Sequence, residues 1–100
     1  MAHSLRTAEF LIETKIADAA GGNIQALYEL GIAYSTGTGG VEVDLIEAHK
    51  WFNLAALNGS AAAQECRADI SEDMSAREIA EAQRQARAWL SDVAPQRRAA

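Results

Sequence analysis

The sequence predicts an all-α domain, a short α/α solenoid of about five helices. Three observations carry this. Alanine fills 22 of the 100 positions, which favours helix and lets helices approach closely. The only proline, Pro95, lies near the end, and no stretch alternates apolar and polar residues for long enough to suggest a sheet. Apolar residues instead recur at spacings of three and four along five segments, separated by glycine or capping signals. One hundred residues make one domain, expected over residues 1–94, with 95–100 as a mobile tail.

The first segment, Leu5 to Ala20, places Leu5, Ala8, Leu11, Ile12, Ile16 and Ala19 inward. Glu9, Glu13, Lys15 and Asp18 turn away, and Phe10 points elsewhere. Ser4 or Thr7 could cap it, and Gly21-Gly22 ends it. The second, from Asn23 or Ile24 to about Ser35, has an inward stripe of Ala26, Leu27, Leu30, Gly31 and Tyr34. Glycine costs a helix interior about 1 kcal/mol relative to alanine, so Gly31 is expected at a close helix crossing. Gly37, Gly39 and Gly40 then form a turn in which positive φ carries no Cβ penalty. A phosphate-cradling loop would need a lysine after this run and a strand before it, and neither is present.

The third segment, Asp44 to Asn58, is the pivot. Leu45, Ile46, Ala48, Trp51, Phe52, Leu54, Ala55, Ala56 and Leu57 cover most of its cylinder, leaving a polar strip through Glu47, Lys50 and Asn53. Such a helix must be covered on at least two sides, and at about 15 residues it is too short to span a bilayer. Asp44 with Glu47 has the spacing of an N-cap and an acidic third residue. The fourth segment runs from Ser60 to about Ile70 on the small residues Ala61, Ala62, Ala63, Cys66 and Ala68. The fifth opens with a Ser75/Glu78 capping box and turns Ile79, Ala82, Ala86, Trp89, Leu90 and Val93 to one face. It is expected to cap the solenoid.

Within this pattern, Ala26, Leu30, Gly31, Tyr34, Gly37, Gly39, Val41, Asp44, Ala48, Trp51, Ala55, Ala56 and Gly59 resemble the Sel1-like repeat, a relative of the tetratricopeptide repeat. Gly40 is one residue more than the family's turn. An offset of 37 aligns Ala19 with Ala56, Gly22 with Gly59 and Ala26 with Ala63, within the ~20–50 residue range of repeat architectures. The first segment therefore reads as the second half of a degenerate repeat, with Thr14 where the complete repeat has Trp51. At the next repeat position, Arg67-Ala68 replaces the Leu-Gly pair.

The resemblance implies a non-enzymatic interaction or scaffold module, often bacterial, that holds a partner protein or peptide on its helical surface. The expected partner-binding residues are Gln25, Tyr28, Glu29 and Ile32, which fall outside the motif and include an aromatic of the type favoured at binding hot spots. An alternative is a structural homodimer or assembly subunit, seeded at Phe10. A third is a Sel1-like hydrolase. Members linked to β-lactam chemistry depend on cysteine-paired hairpins, whereas this chain has a lone Cys66 and no S-x-x-K motif.

Other chemistry finds little support. The net charge is −5, with −7 over residues 1–74 and +2 over residues 75–100, and an acidic domain repels phosphate. No nucleic-acid partner is expected. His49 has no ligands at metal-binding spacing and is expected to be a solvated helix histidine. Cys66 is expected to pack as a small residue. No cofactor, metal or catalytic residue is assigned. The N-terminal stretch lacks the apolar core of a signal peptide, so a cytoplasmic location without membrane association is expected.

Overall fold

A computed structural model describes the backbone of residues 2–99 and the side chains of residues 8–94. Five helices follow one another: α1 (Ala2–Ala20), α2 (Ile24–Thr36), α3 (Leu45–Leu57), α4 (Ala61–Ser71) and α5 (Ala76–Ala99). Helix α1 begins before Ser4 and Thr7, so neither is its cap. Leu5, expected inward, has its side chain outside the described residues. Helix α5 continues through Pro95, where the fold was expected to end. Proline there gives up the backbone bond to Ser91 and crowds its carbonyl, but its fixed φ suits a helix and the surrounding Ala94, Gln96, Arg97 and Arg98 include strong helix formers. The mobile tail expected over 95–100 falls on side chains outside the described set.

The caps set the boundaries. Asn23, Asp44 and Ser60 each accept a backbone N–H three residues on, from Ala26, Glu47 and Ala63. At α5 the box is reciprocal: Ser75 Oγ accepts from Glu78 N at 3.1 Å, and Glu78 Oε1 accepts from Ser75 N at 2.8 Å. Gly37 closes α2 in the left-handed conformation (φ 73°), donating to Ala33 O at 2.8 Å. The glycine turn is tied across the hairpin by Asp44 N donating to Tyr34 O at 2.9 Å.

The 37-residue offset is structural as well as sequential. Asn23 N donates to Asp18 O at 3.1 Å, and Ser60 N donates to Ala55 O at 3.0 Å. Gly22 and Gly59, at equivalent places, both have positive φ, and the two caps hold Ala26 and Ala63 at 3.0 and 3.1 Å. The α1–α2 and α3–α4 turns are one device used twice.

Helix α3 is the hub, packing against α2, α4 and α5, while α1 packs on α2 and touches α5. Ala48, Trp51, Phe52, Leu54 and Ala55 are buried on it, together with Leu27 and Leu30 of α2, Ala63 of α4 and Ala82 and Ala86 of α5. Gly31 lies against Phe52: a Cβ added there would stand 2.5 Å from Phe52 Cε1 and 2.8 Å from its Cγ. The close crossing is real. On the other side, Trp51 meets Trp89 edge-on at 4.8 Å. Two sequence expectations for this hub change. Leu57 is exposed at the helix end, where neighbouring helices no longer reach. His49 is buried, only 3% exposed, because α4 packs across its face and Arg67 of that helix donates to Asn53 Oδ1.

Candidate functional site

An open groove of about 500 Å³ runs between α1 and α2. Helix α1 gives one wall, Leu11, Ile12 and Lys15, and α2 gives the other, Gln25, Tyr28, Glu29, Ile32 and Ala33. Thr38 and Gly39 of the glycine turn close one end. All four residues expected to bind a partner are thus brought to one surface. Gln25 and Glu29 are exposed, and Tyr28 and Ile32 are half-buried.

Spacing explains the α2 wall, since residues three and four apart share a helix face. Position in the hub explains the half-burial. Tyr28 tilts its ring against Phe52 at 5.9 Å and lies beside Cys66 of α4. That thiol holds the Tyr28 phenol above the usual tyrosine range, chiefly by repulsion between the ionised forms, with burial adding less.

The α1 wall was not assigned to the site. Leu11 was expected in the core, yet it is 50% exposed, whereas Ile12, Ile16 and Ala19 do turn inward. Core contact on α1 follows Ala8, Ile12, Ile16 and Ala19. A Cβ on Gly39 would lie 3.8 Å from Ile12, and Gly40 fits so closely on Ala8 that a Cβ there would overlap the alanine methyl. The extra glycine of the turn therefore seats it on α1, and Leu11 is rotated onto the groove. The 37-residue offset held the signal: Leu11 and Lys15 correspond to Ala48 and Phe52, both on the α2-facing side of α3.

The groove mixes charge with apolar surface. Lys15 and Glu29 stand on opposite walls, and neither forms an ion pair among the described residues. Phe10 lies next to Leu11 and is 66% exposed. Elsewhere, His49 Nδ1 is buried without a partner, and burial, followed by the charge of Arg67, lowers the histidine's pKa. Among the described residues no three His, Cys, Asp or Glu side chains are grouped to hold a metal ion, and no helix is long and apolar enough to cross a membrane.

Comparison with curated proteins and with solved structures gives no match. Residues 24–60 do match the family model of the Sel1 repeat, a range that starts with α2 and ends at the cap of α4. Repeats of this kind typically are non-catalytic and mediate protein–protein interaction. The stretch that matches the Sel1 repeat is the α2–α3 hairpin.

Proposed function

We propose that this protein is a non-enzymatic interaction module, working in the cytoplasm, that holds a partner protein or peptide in the α1–α2 groove. The observation that supports this most is the convergence of Gln25, Tyr28, Glu29 and Ile32 with a half-exposed Leu11 on one open surface. Apolar anchors ringed by polar side chains are what a binding patch needs to exclude water and fix orientation. A photo-crosslinking side chain at Gln25 tests it in the native cell extract. A discrete adduct, suppressed by Ile32→Asp in a chain that still melts cooperatively, is expected. An adduct that survives Ile32→Asp, or none, would count against the groove.

A second reading, self-association through α1, draws on the exposure of Phe10 beside Leu11. Two-fold pairing is the commonest oligomer symmetry, and an apolar pair on a helix surface would suit it. Sedimentation equilibrium separates the two readings: a dimer that Phe10→Ser dissociates supports pairing, and a monomer at high micromolar concentration ends it.

A further inference from the structure

The repeat offset supplies, inside the molecule, an occupied counterpart of the groove. Adding 37 to Leu11, Ile12 and Lys15 gives Ala48, His49 and Phe52 of α3, and adding it to Gln25 and Glu29 gives Ala62 and Cys66 of α4. The turns that join α1 to α2 and α3 to α4 share their hydrogen bonds and cap geometry, so the two helix pairs leave their turns in the same way. The α3 side of the counterpart surface is filled by α2, whereas on α4 Cys66 is half-buried and Ala62, Glu65 and Asp69, which answer to Gln25, Tyr28 and Ile32, stay exposed. Helix α2 packs on α3 and reaches α4, Ala48 and Phe52 are buried in that contact, and Gly31 of α2 lies on the Phe52 ring.

What lies on α3 and α4 is therefore a 13-residue helix with a glycine at its tightest contact. On α1 and α2 the residue in the place of Phe52 is Lys15, which pairs with no carboxylate among the described residues. A short side chain must face it, as Gly31 faces Phe52, and a charged one would complement it. Aspartate satisfies both requirements.

Resting on the reading of the groove as a partner site, we infer that the partner's contribution is an amphipathic α-helix, laid on α1 and α2 as α2 is laid on α3 and α4, with an aspartate facing Lys15. Its apolar stripe covers Leu11 and Ile12 and reaches α2 at Glu29, as α2 reaches α4 at Cys66, a helix-in-groove mode read through anchors at spacings of three and four.

The probe is a synthetic peptide, IQALYELDIAYST, which is residues 24–36 with Asp in place of Gly31, stapled on its outward face to hold the helix. It is titrated into the isotopically labelled full chain and followed by amide shifts. Saturable shifts at Leu11, Ile12 and Lys15 are expected, absent in Leu11→Asp, whose melting curve stays that of the parent. A peptide with Lys at the same position should bind about two- to fivefold more weakly, the scale of a surface ion pair, and Lys15→Glu should reverse that order. Equal binding of the Asp and Lys peptides, or shifts on another face, overturns the inference. So does equal binding by an unstapled peptide broken with proline, which would leave the groove a partner site for extended chains. Absence of shifts with every peptide, alongside a surviving crosslink from Gln25, also overturns the helix while the partner reading stands.

Discussion

The α2–α3 and α4–α5 pairs start from equivalent repeat positions and part company along the inward stripe, where Leu27, Leu30 and Tyr34 give way to Gln64, Arg67 and Ser71. Gly31 in α2 becomes Ala68 in α4, and the glycine turn of residues 37–40 has no counterpart after α4. With glycine at the crossing, α2 closes onto Phe52 and the hairpin shares a core of Leu27, Leu30, Ala48 and Phe52. With Ala68 exposed and only Ala63 fully buried, α4 has one covered stripe. Helix α5 accordingly packs over α3 and touches α1 rather than forming a tight hairpin with α4. The loss of the apolar stripe, of the crossing glycine and of the glycine turn together separates a repeat that continues from one that stops, because a solenoid grows only where consecutive helices can close on each other.

The largest test of that contrast compares the two tryptophans. Trp51→Ala should destabilise by about 3–5 kcal/mol, the range for a large aromatic in a packed core. Trp89, half-buried on α5, should cost about 2 kcal/mol. Chemical denaturation of both, and of the double variant, checks this. Since the rings touch edge-on, the double variant should fall short of the sum. Equal costs for the two would mean that α5 belongs to the core as fully as α3 does.

Next come the crossing glycine and its repeat counterpart, each changed toward the other. Gly31→Ala should destabilise by about 1–3 kcal/mol, since the buried Phe52 ring cannot yield freely. Ala68→Gly should also destabilise, by about 1 kcal/mol, through helix propensity alone. A Gly31→Ala variant more stable than its parent would show that the crossing tolerates a methyl group.

Much of this was legible in the sequence, because caps and glycines act locally. Asp44, Ser60 and Ser75 mark helix starts through hydrogen bonds only three residues long, and Gly31 betrays a crossing by its poor propensity. What escaped was set by partners distant along the chain. His49 sits one residue from the polar strip at Lys50, and only the arrival of α4 buries it. Leu11 has the period of a core residue, yet its contact would have to come from a helix lying on the groove. The α2 wall could be named from spacing, whereas the α1 wall needed the repeat offset applied residue by residue.

His49 also separates the pairs by pH. Its pKa is lowered in the fold, so between that value and the ordinary 6.5 the unfolded chain binds more protons than the folded one. Stability therefore rises with pH through this window and falls on acidification below about 6.5, with a slope of at most ~1.4 kcal/mol per pH unit for one proton. Denaturation midpoints from pH 5 to 7 should show the loss, and His49→Leu should flatten it. Glu81 on α5, held down to about 2 chiefly by its hydrogen bond from Arg84, acts in a separate range. Its contribution is present above the ordinary carboxylate value and is lost only as pH falls toward 2. An unflattened slope in the His49 variant would move the acid sensitivity elsewhere.

The smallest effect comes from two carboxylates with the same local wiring. Glu47 accepts from Lys50 at i+3 and from the Trp51 indole at i+4, at 3.1 and 3.0 Å. Glu81 accepts from Arg84 at i+3 and from Gln85 at i+4, at 2.6 and 2.8 Å. Distances alone favour Glu81, whose carboxyl is held down to about 2. Burial reverses the ranking. The Lys50 side chain is 13% exposed and also stands over the Trp51 ring at 4.5 Å, while the Arg84 side chain is 60% exposed. Removing Glu47 leaves an indole N–H in the hub without its acceptor, which costs roughly 1–3 kcal/mol. Water replaces every partner that Glu81 loses, and exposed ion pairs contribute little. Glu47→Ala should therefore lower the denaturation midpoint clearly and Glu81→Ala hardly at all. The opposite order would show that hydrogen-bond length outweighs burial in this fold.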